Sequence, residues 1–513
     1  MKKLSIIAAA ALMAVVGCQK QPNAGTNPDE GEKVYMGFKI ATVSTKSGTQ
    51  DDGTSTNGVE IGTDSENNVS KIDLVLKDAT TKKVTIASDI TAVPAQPGED
   101  TRAFIASFKS KELSEGNYRV YVYVNADAPE TFDVNHVYSV GDADVTTNIA
   151  QSNKFMMTSA GVDDKNMTTI SDLRSHTSAA NPLDLGTFDV ERSAVRFDYT
   201  SPATGKTYTL AKDASDKPTV VVTLQDMALV NESKAFYDFK RVIADPTVAD
   251  WAASWKIGDI ETSNNYVVDT DWAAKKASTN GIVEMHYPLN TANESTYSWT
   301  SIPDATYPDY SFWKYSTENS MPFTTQKKGM TTGVAFRGQI TATVDCPADL
   351  KTVLDDGTKT IYVFGNVLYG TWDMVKNAAL ATGAGANYAL RAAYDKVVAS
   401  SKQPADYASA GFTAYTPKSG KYLTTYYYWN RHNDNGNPDV MGPMEFATVR
   451  NNVYKLSVTK INKYGHPYQD GGSTTDPDPN PENPTDPDEQ TEYYFTVSVR
   501  VLPWVVRINN IEF

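Results

Sequence analysis

The sequence predicts an all-β protein built from β-sandwich units. Short runs rich in Val, Thr and Tyr recur along the chain, separated by segments of Asn, Asp, Gly and Pro that favour turns. Tyr is abundant, with 29 residues, and Tyr, Val and Thr all prefer strands. Helical periodicity is confined to two candidates, residues 250–256 and 389–402. Many short strands at uneven spacing favour sandwiches over closed barrels or α/β folds.

Length and charge narrow the class of protein further. A chain of 513 residues is too long for one ordinary domain, so two or three are expected. The net charge is -15 and the isoelectric point is about 4.9. Without Lys and Arg clusters to displace counterions, such a chain is not expected to bind nucleic acid or an anionic membrane surface. Solubility is the simplest explanation of the acidity.

The N-terminus carries an export signal. Lys2 and Lys3 precede an apolar core, residues 4–16, which is too short for a permanent membrane-spanning helix. Gly17 and Cys18 follow this core directly and resemble a bacterial lipoprotein box, in which the cysteine is acylated with fatty acids such as palmitate. An ordinary secretion signal with a chance cysteine is the alternative. The signal therefore predicts a chain that leaves the cytoplasm and is carried to the outer membrane of a Gram-negative cell.

The remaining cysteine, Cys346, then has no partner, so an intrachain disulfide framework is excluded. Residues 19–33 are polar and contain no apolar run, so they read as a flexible tether between the lipid and the fold.

The first segment of the fold is a strand over residues 34–43. Its apolar side chains alternate with other residues, which places them on one face. These residues are Val34, Met36, Phe38 and Ile40.

A long polar loop follows this strand. Lys46 and Ser47 lie at its start, and residues 48–68 show no apolar periodicity. Such an exposed loop is a preferred site of proteolytic nicking. A cut after Lys46 would separate the lipid-bearing strand from everything downstream.

Further strand patterns continue from residue 69, with a domain boundary expected near Val190. The predicted strands are 72–76, 104–108, 118–124, 183–190, 194–199, 219–224, 333–344, 360–368, 421–429 and 452–460.

The C-terminus repeats the pattern of the first strand. Residues 476–492 form a linker rich in Pro and acidic residues, which cannot pack or pair. Beyond it lies a strand with apolar residues at every second position. Pro503 and Trp504 follow this strand, and we expect Pro503 to end regular pairing or to force a bulge. Those apolar residues are Phe495, Val497, Val499 and Val501. A good strand beyond such a linker suggests one meant for another molecule.

Signals for catalysis or cofactors are weak. The five histidines have no metal-ligand spacing, and nucleophile, phosphate-loop and dinucleotide motifs are missing from the sequence. The acidic run after residue 475 has prolines where a calcium loop requires glycine and glutamate. Residues 426–429 (YYYW) read as alternating strand aromatics, with a carbohydrate-stacking platform as the alternative. We therefore expect no enzyme activity, no metal and no cofactor.

Several motifs identify a family that the chain resembles. They are 190–196 (VERSAVR), 449–454 (VRNNVY), the Asp/Pro/Asn linker and 501–504 (VLPW). With the lipoprotein box, they resemble the major subunit of short (minor) fimbriae, among the type V pilins of Gram-negative, Bacteroidales-type bacteria.

The resemblance implies a fold and a mode of assembly. Members of that family have two transthyretin-like β-sandwich domains and reach the outer membrane as lipoproteins. A protease cuts after a basic residue in the loop that follows the first strand, here Lys46, with Ser47 as the new N-terminus. The vacated groove is filled by the C-terminal strand of a neighbouring copy. Expected partners are therefore copies of the chain, anchor and tip subunits, a maturation protease, and surface receptors of the host or other bacteria, without nucleic acid.

The expected role is a shaft subunit, because a chain with a removable first strand and a donor tail can be filled at one end and fill at the other. A surface glycan-binding lipoprotein, or a tip or anchor subunit, is the alternative. The expected organisation is a signal peptide at 1–18, tether and removable strand at 19–46, an N-terminal domain at 47–189, a C-terminal domain at 190–470, a linker at 471–492 and a donor strand at 493–513.

Overall fold

The computed structural model describes most of the chain between residues 33 and 505. The described residues are 33–42, 60–93, 102–161, 166–202, 204–258, 265–277, 285–286, 293–326, 328–433, 435, 437, 439–470 and, for the backbone only, 495–505.

The first part of the chain is a β unit. Its strands are β1 (Lys33–Thr42), β2 (Glu60–Ile61), β3 (Ile72–Asp78), β4 (Val84–Ala87), β5 (Ile90–Val93), β6 (Arg102–Lys109), β7 (Gly116–Val124), β8 (Val137–Ser139), β9 (Ala150–Gln151), β10 (Lys154–Phe155), β11 (Met157–Ser159), β12 (Met167–Ile170) and β13 (Leu183–Arg192).

One nine-stranded sheet organises this unit. Its order is β4-β3-β7-β11-β13-β1-β6-β5, with β12 beside β7. β4 and β6 lie near opposite ends of that order yet contact each other, so the sheet curls over its own core. Alternate apolar residues line that core, as the period of two requires, for example Leu74 and Leu76 of β3 and Val120 and Val122 of β7.

The second part of the chain supplies the remaining strands. They are β14 (Val195–Thr200), β15 (Thr207–Lys212), β16 (Pro218–Val230), β17 (Glu232–Ser233), β18 (Ala235–Tyr237), β19 (Arg241–Ile243), β20 (Lys256–Ile257), β21 (Tyr266–Val267), β22 (Met285–His286), β23 (Thr300–Ser301), β24 (Ser311–Ser316), β25 (Gly333–Ala342), β26 (Ile361–Phe364), β27 (Val367–Tyr369), β28 (Thr413–Tyr415), β29 (Tyr422–Trp429), β30 (Asn452–Ile461), β31 (His466–Pro467) and β32 (Phe495–Val505).

Ten of these strands, together with β2, form a second sandwich. A five-stranded sheet of order β2-β32-β30-β14-β24 faces a six-stranded sheet of order β15-β16-β25-β29-β31 with β23 beside β16. One core lies between them. Phe197 and Leu456 enter it from the first sheet, and Phe336 and Tyr426 from the second. The all-β architecture expected from the sequence is therefore confirmed, with two separate β cores.

Helices are few and mostly short. They are α1 (Asp64–Asn67), α2 (Trp251–Ser254), α3 (Trp272–Ala277), α4 (Ala348–Asp356), α5 (Trp372–Ala379), α6 (Tyr388–Val398) and α7 (Pro404–Ser409).

An insertion separates two adjacent strands of the second sandwich. α4 to α7, with the small sheet of β26, β27 and β28, lie between β25 and β29, which pair directly. The insertion has its own apolar core, which includes Val375, Leu390 and Phe412.

The two predicted helices are present, as α6 and as the single turn α2, but α4, α5 and α7 were missed. The single strand expected at 360–368 is wrong: a turn at Gly365 and Asn366, both with positive φ, folds it into the hairpin of β26 and β27.

The chain passes from the first sheet to the second within a few residues. β13 ends at Arg192 in the first sheet, and β14 begins at Val195 in the second. The boundary expected at Val190 lies inside β13. Part of the first half also joins the second sandwich, because β2 extends its five-stranded sheet, whereas β8 pairs with β18 in a separate two-stranded sheet.

Candidate strand-exchange site

The first strand lies inside the first sheet, with a neighbour on each side. β1 pairs antiparallel with β6 from Lys33 to Ile40, and parallel with β13 from Met36 to Thr42. β5 continues the sheet beyond β6. β1 therefore bridges two parts of the sheet. Its removal would leave a groove with two unpaired strand edges, those of β6 and β13.

The apolar face of β1 is fully buried. The four alternating residues are at most 2% exposed, and they are Val34, Met36, Phe38 and Ile40. The Phe38 ring stacks on Phe104 of β6, with centroids 5.7 Å apart, and also contacts Phe188 of β13 at 6.3 Å. Burying four such side chains contributes roughly 6–12 kcal/mol, at ~1.5–3 kcal/mol each. An empty groove would expose the partners of these side chains.

The opposite face of β1 lies under a short loop that precedes β13. The backbone N–H of Tyr35 donates a hydrogen bond to the carbonyl of His176, at 2.9 Å. Gly37 lies below Pro182, so closely that a Cβ added to the glycine would be 3.3 Å from the Cγ of the proline. Pro182 therefore limits the space beside Gly37 on this half-buried side of β1.

The C-terminal strand lies in the second sandwich of the same chain. β32 pairs antiparallel with β30, from Phe495 opposite Ile461 to Pro503 opposite Asn452. In this sandwich the expected end of pairing, or bulge, is wrong, because β32 pairs at Pro503 and continues past this proline. Beyond it, Trp504 pairs in parallel with Glu60 of β2.

The register of β32 matches the alternation read from the sequence. Val497, Val499 and Val501 pair with residues of β30 that are fully buried in the second core, namely Val458, Leu456 and Tyr454. On its other side, β32 has a described neighbour only at Trp504 and Val505, which pair with β2. In the described part of the chain, most of β32 is thus an edge strand.

Two of the motifs meet where the two units join. The Arg192 backbone N–H donates to Asn451 Oδ1 at 3.4 Å, and the Asn451 backbone N–H donates to the Ala194 carbonyl at 2.9 Å. The motif at 190–196 and the motif at 449–454 are therefore in direct contact, although they are far apart along the chain.

Buried arginines hold this junction together. Arg450 is fully buried and donates to both carboxylate oxygens of Glu318, each at 3.1 Å. It also donates to the backbone carbonyls of Tyr237 and Asp238, at 2.7 and 3.1 Å. Planar guanidinium groups suit such a forked contact. Burial lowers the pKa of the second arginine, Arg192, to about 9.

A second charged group fixes α1, which lies inside the segment 48–68 that was expected to be an exposed loop. Glu66, in α1, accepts hydrogen bonds from Arg196 at 3.2 Å and from the Tyr315 hydroxyl at 2.5 Å. Arg196 also donates to Asp198 at 2.8 Å. α1 begins three residues after β2, so this group holds the end of the expected loop segment against the second sandwich.

A third contact at the junction is the buried ion pair of Lys240 and Glu191, at 2.8 Å. Sequence reasoning missed the role of these charged residues as a set. The sequence did carry a signal: three charged residues, Glu191, Arg192 and Arg196, lie within an otherwise strand-like segment. The structure shows that all three are buried.

The aromatic run at 426–429 is not an exposed platform. Tyr426 and Trp429 are buried in two different cores, and Tyr427 is covered by the segment around Glu294. The Tyr427 hydroxyl donates to Glu294 at 3.1 Å, and burial raises the pKa of Tyr427 well above its usual value. The interpretation as alternating strand aromatics is the one that the structure supports.

The residues expected to be acylated or processed, Cys18, Lys46 and Ser47, lie outside the described residues, as does the linker at 476–492. Over the ranges that are described, no group of three His, Cys, Asp or Glu residues is arranged to hold a metal ion. In the same ranges, no helix is long and apolar enough to cross a membrane.

Three solved structures are similar to the chain at low identity. A candidate cell adhesion protein from Bacteroides eggerthii has 13% identity and a TM-score of 0.36, covering 94% of this chain and 99% of that one. A candidate adhesin from Bacteroides ovatus has 8% identity and a TM-score of 0.18, and the match covers 60% of this chain and 73% of that one. A candidate polysaccharide-binding protein from Bacteroides thetaiotaomicron has 11% identity and a TM-score of 0.16, covering 47% and 77%.

None of the curated proteins compared with the chain matches it. A family model does match: residues 421–510 fit the C-terminal region of fimbrillin, described as major fimbrial subunit protein type IV. That segment contains β29, β30, β31 and β32, and hence the C-terminal strand with the strand that pairs with it. Residues 421–510 of this chain are therefore similar to the C-terminal region of fimbrillin, a major fimbrial subunit.

Proposed function

We propose that the chain is the shaft subunit of a fimbrium that polymerises by strand exchange. The precursor is acylated at Cys18 and held at the outer membrane. A protease cuts after Lys46, β1 leaves with the lipid, and the C-terminal strand of another copy enters the groove. The product is an extracellular filament that supports adhesion and biofilm formation.

The observation that supports this proposal most strongly is the position of β1. It is an internal strand with strands on both sides, yet its C-terminal end leads straight into the loop that carries Lys46. Its alternation of four apolar residues recurs in Phe495–Val501. Strand addition of this kind combines backbone hydrogen bonds with side-chain burial at alternate positions.

The C-terminal strand starts from a place that permits this exchange. In the precursor, β32 lies at the edge of its own sandwich, where only its last residues touch β2. An edge strand with one full neighbour separates more readily than an internal strand with two. The groove left by β1 offers two neighbouring edges, so the exchange increases the number of backbone partners.

Energetics and symmetry favour a durable filament. Association costs on the order of 4–15 kcal/mol, which offsets much of the burial in the groove. The durability of the fibre is then largely kinetic, because a departing strand would expose two sheet edges and an empty groove. A head-to-tail contact does not close on itself, so it produces a filament.

The partners of the proposed subunit are copies of the same chain along the shaft, with anchor and tip subunits at the ends. A maturation protease acts on the loop after β1. Receptors on host or bacterial surfaces are contacted by the assembled fibre.

The direct test is electron microscopy of material sheared from cells, combined with N-terminal sequencing of the sheared subunit. We expect fibres whose subunits begin at Ser47. Fibres made of full-length subunits, or a surface protein that forms no fibres, would contradict the proposal.

A further inference from the structure

A proline approaches the centre of β1 on the outer side of the groove. Gly37 lies in the middle of β1, on the face opposite to the four buried side chains. A Cβ at this position would lie 3.3 Å from Cγ and 3.6 Å from Cβ of Pro182. The first distance is slightly shorter than an ordinary van der Waals contact, so a side chain here requires the proline ring to shift by a few tenths of an ångström.

The proline cannot easily move aside. The ring fixes its backbone φ and can change only its pucker, and the residue immediately precedes β13, which pairs with β1. The loop before it is tied to β1, since Tyr35 donates to the His176 carbonyl at 2.9 Å. The Asn181 side-chain amide donates to the Ser175 carbonyl, also at 2.9 Å. The narrow point is therefore a built feature of the acceptor.

The C-terminal strand carries a small residue at the corresponding position. When its four apolar residues are placed on those of β1, Ser498 takes the place of Gly37. Ser498 takes this place whether the inserted strand runs parallel or antiparallel to the direction of β1. The reason is that Gly37 and Ser498 each lie midway between the first and the last of the four apolar residues of their strand. Thr496 and Arg500 take the two remaining outward positions, which Tyr35 and Lys39 occupy in β1.

We propose that Pro182 is a size gate that sets the register of the inserted strand. This inference rests on the proposed strand exchange and names a residue that governs it. The gate admits Gly37 in the precursor and Ser498 in the polymer. A slip by two residues would keep the apolar face inward but would place Thr496 or Arg500 beneath the proline. Both side chains are larger than serine, so the gate disfavours the slipped registers.

The test uses a large residue at the gated position. Ser498→Tyr should reduce the yield of fibres by about tenfold or more, because overpacking a tight site is strongly unfavourable. Thr496→Tyr is the matched control on the same strand and should leave the yield within about twofold, since the outward positions beside the centre are not beneath Pro182. Fibre yield is measured from detergent-resistant ladders and electron micrographs of full-length chains processed in cells.

A change in the acceptor should rescue the defect. Pro182→Ala combined with Ser498→Tyr should restore most of the yield, because the methyl group leaves room that the ring fills. Normal fibre yield for Ser498→Tyr alone would overturn the gate, as would a failure of Pro182→Ala to rescue it. Neither result would affect strand exchange itself, which falls instead if a chain lacking residues 495–513 still polymerises.

The precursor offers a second measurement that does not depend on polymerisation. Gly37→Val should lower the melting temperature of the uncut chain, and Pro182→Ala should reduce that effect in a double-mutant cycle. Additive effects of the two changes would overturn the proposed contact.

Discussion

Phe38 of β1 and Phe104 of β6 stack with their centroids 5.7 Å apart and both side chains buried, inside a sheet that β1 completes from within. A strand in such a position stabilises the precursor that contains it. If the strand is later cut away, the same contact has no influence on the mature subunit. This distinction leads to the first prediction.

Phe38→Ala should destabilise the precursor by about 3–5 kcal/mol, because it removes a buried ring and leaves a cavity. Denaturant unfolding of the uncut chain measures the loss. The matched control is Lys33→Ala on the same strand, where an exposed ion pair with Asp89 contributes at most about 1 kcal/mol. Fibres of Phe38→Ala should nevertheless be as heat-resistant as wild type, and weakened fibres would mean that β1 stays in the mature subunit.

The processing site gives a second prediction. Lys46→Ala should leave full-length, acylated chains at the cell surface, because the basic residue before the cut is missing. Lys46→Arg keeps the charge and should be processed normally. Immunoblots of whole cells distinguish the two lengths. A normal fibre yield from Lys46→Ala would place the cut elsewhere.

The end of the C-terminal strand gives a third prediction. Trp504→Ala should weaken polymerisation without unfolding the monomer, because we expect its ring to anchor in a pocket at the end of the groove. Arg500→Ala, at an outward position of the same strand, is the control. Electron microscopy and heating in detergent report fibre length and resistance. Mutant fibres as long and as resistant as wild type would disprove the anchor.

The junction between the two β units gives a fourth prediction. Arg450→Met should destabilise the chain by about 3–5 kcal/mol, because Glu318 would then be buried without its partner. Adding Glu318→Leu should recover part of that loss, since two apolar groups leave no buried charge. Chemical denaturation of the single and double variants measures both steps. Equal stability of Arg450→Met and wild type would show that the pair does not hold the junction.

Glu294 gives a fifth prediction, on pH dependence. Burial raises the pKa of this carboxyl to about 8 from the ordinary value of 4.5. Between these values the folded chain keeps a proton that the unfolded chain has released. The stabilisation that results is complete below pH 4.5 and is lost as the pH rises through about 8.

Glu294→Gln cannot ionise, so its stability relative to wild type should increase steadily from pH 4.5 to pH 8, by a few kcal/mol at about 1.4 kcal/mol per pKa unit. Comparing the two chains at each pH cancels the contribution of other buried groups, such as His466, whose pKa burial lowers to about 4. Glu115→Gln, at an exposed position, is the control. A constant difference across this range would contradict the prediction.

Local patterns were sufficient for most of the fold. The alternation around Phe38 and that in β3, β7, β25 and β30 predicted strands because burial of one face imposes a period of two. The helical insertion between β25 and β29 was largely missed, because α5 and α7 are short and their apolar residues face a small core of their own. Caps were available as a signal: Thr371 caps α5, and Pro404 opens α7.

By itself, the sequence determined the all-β class, the alternation shared by the first and last strands, and the pattern of a fimbrial subunit, since all three depend on residues close together in the chain. The tertiary structure alone decided which strands β1 and β32 lie against, how the motifs at 190–196 and 449–454 meet through Arg192 and Asn451, and that Pro182 lies over Gly37. These relationships join residues that are distant in sequence. Their geometry follows from sheet register and packing, which no local pattern encodes.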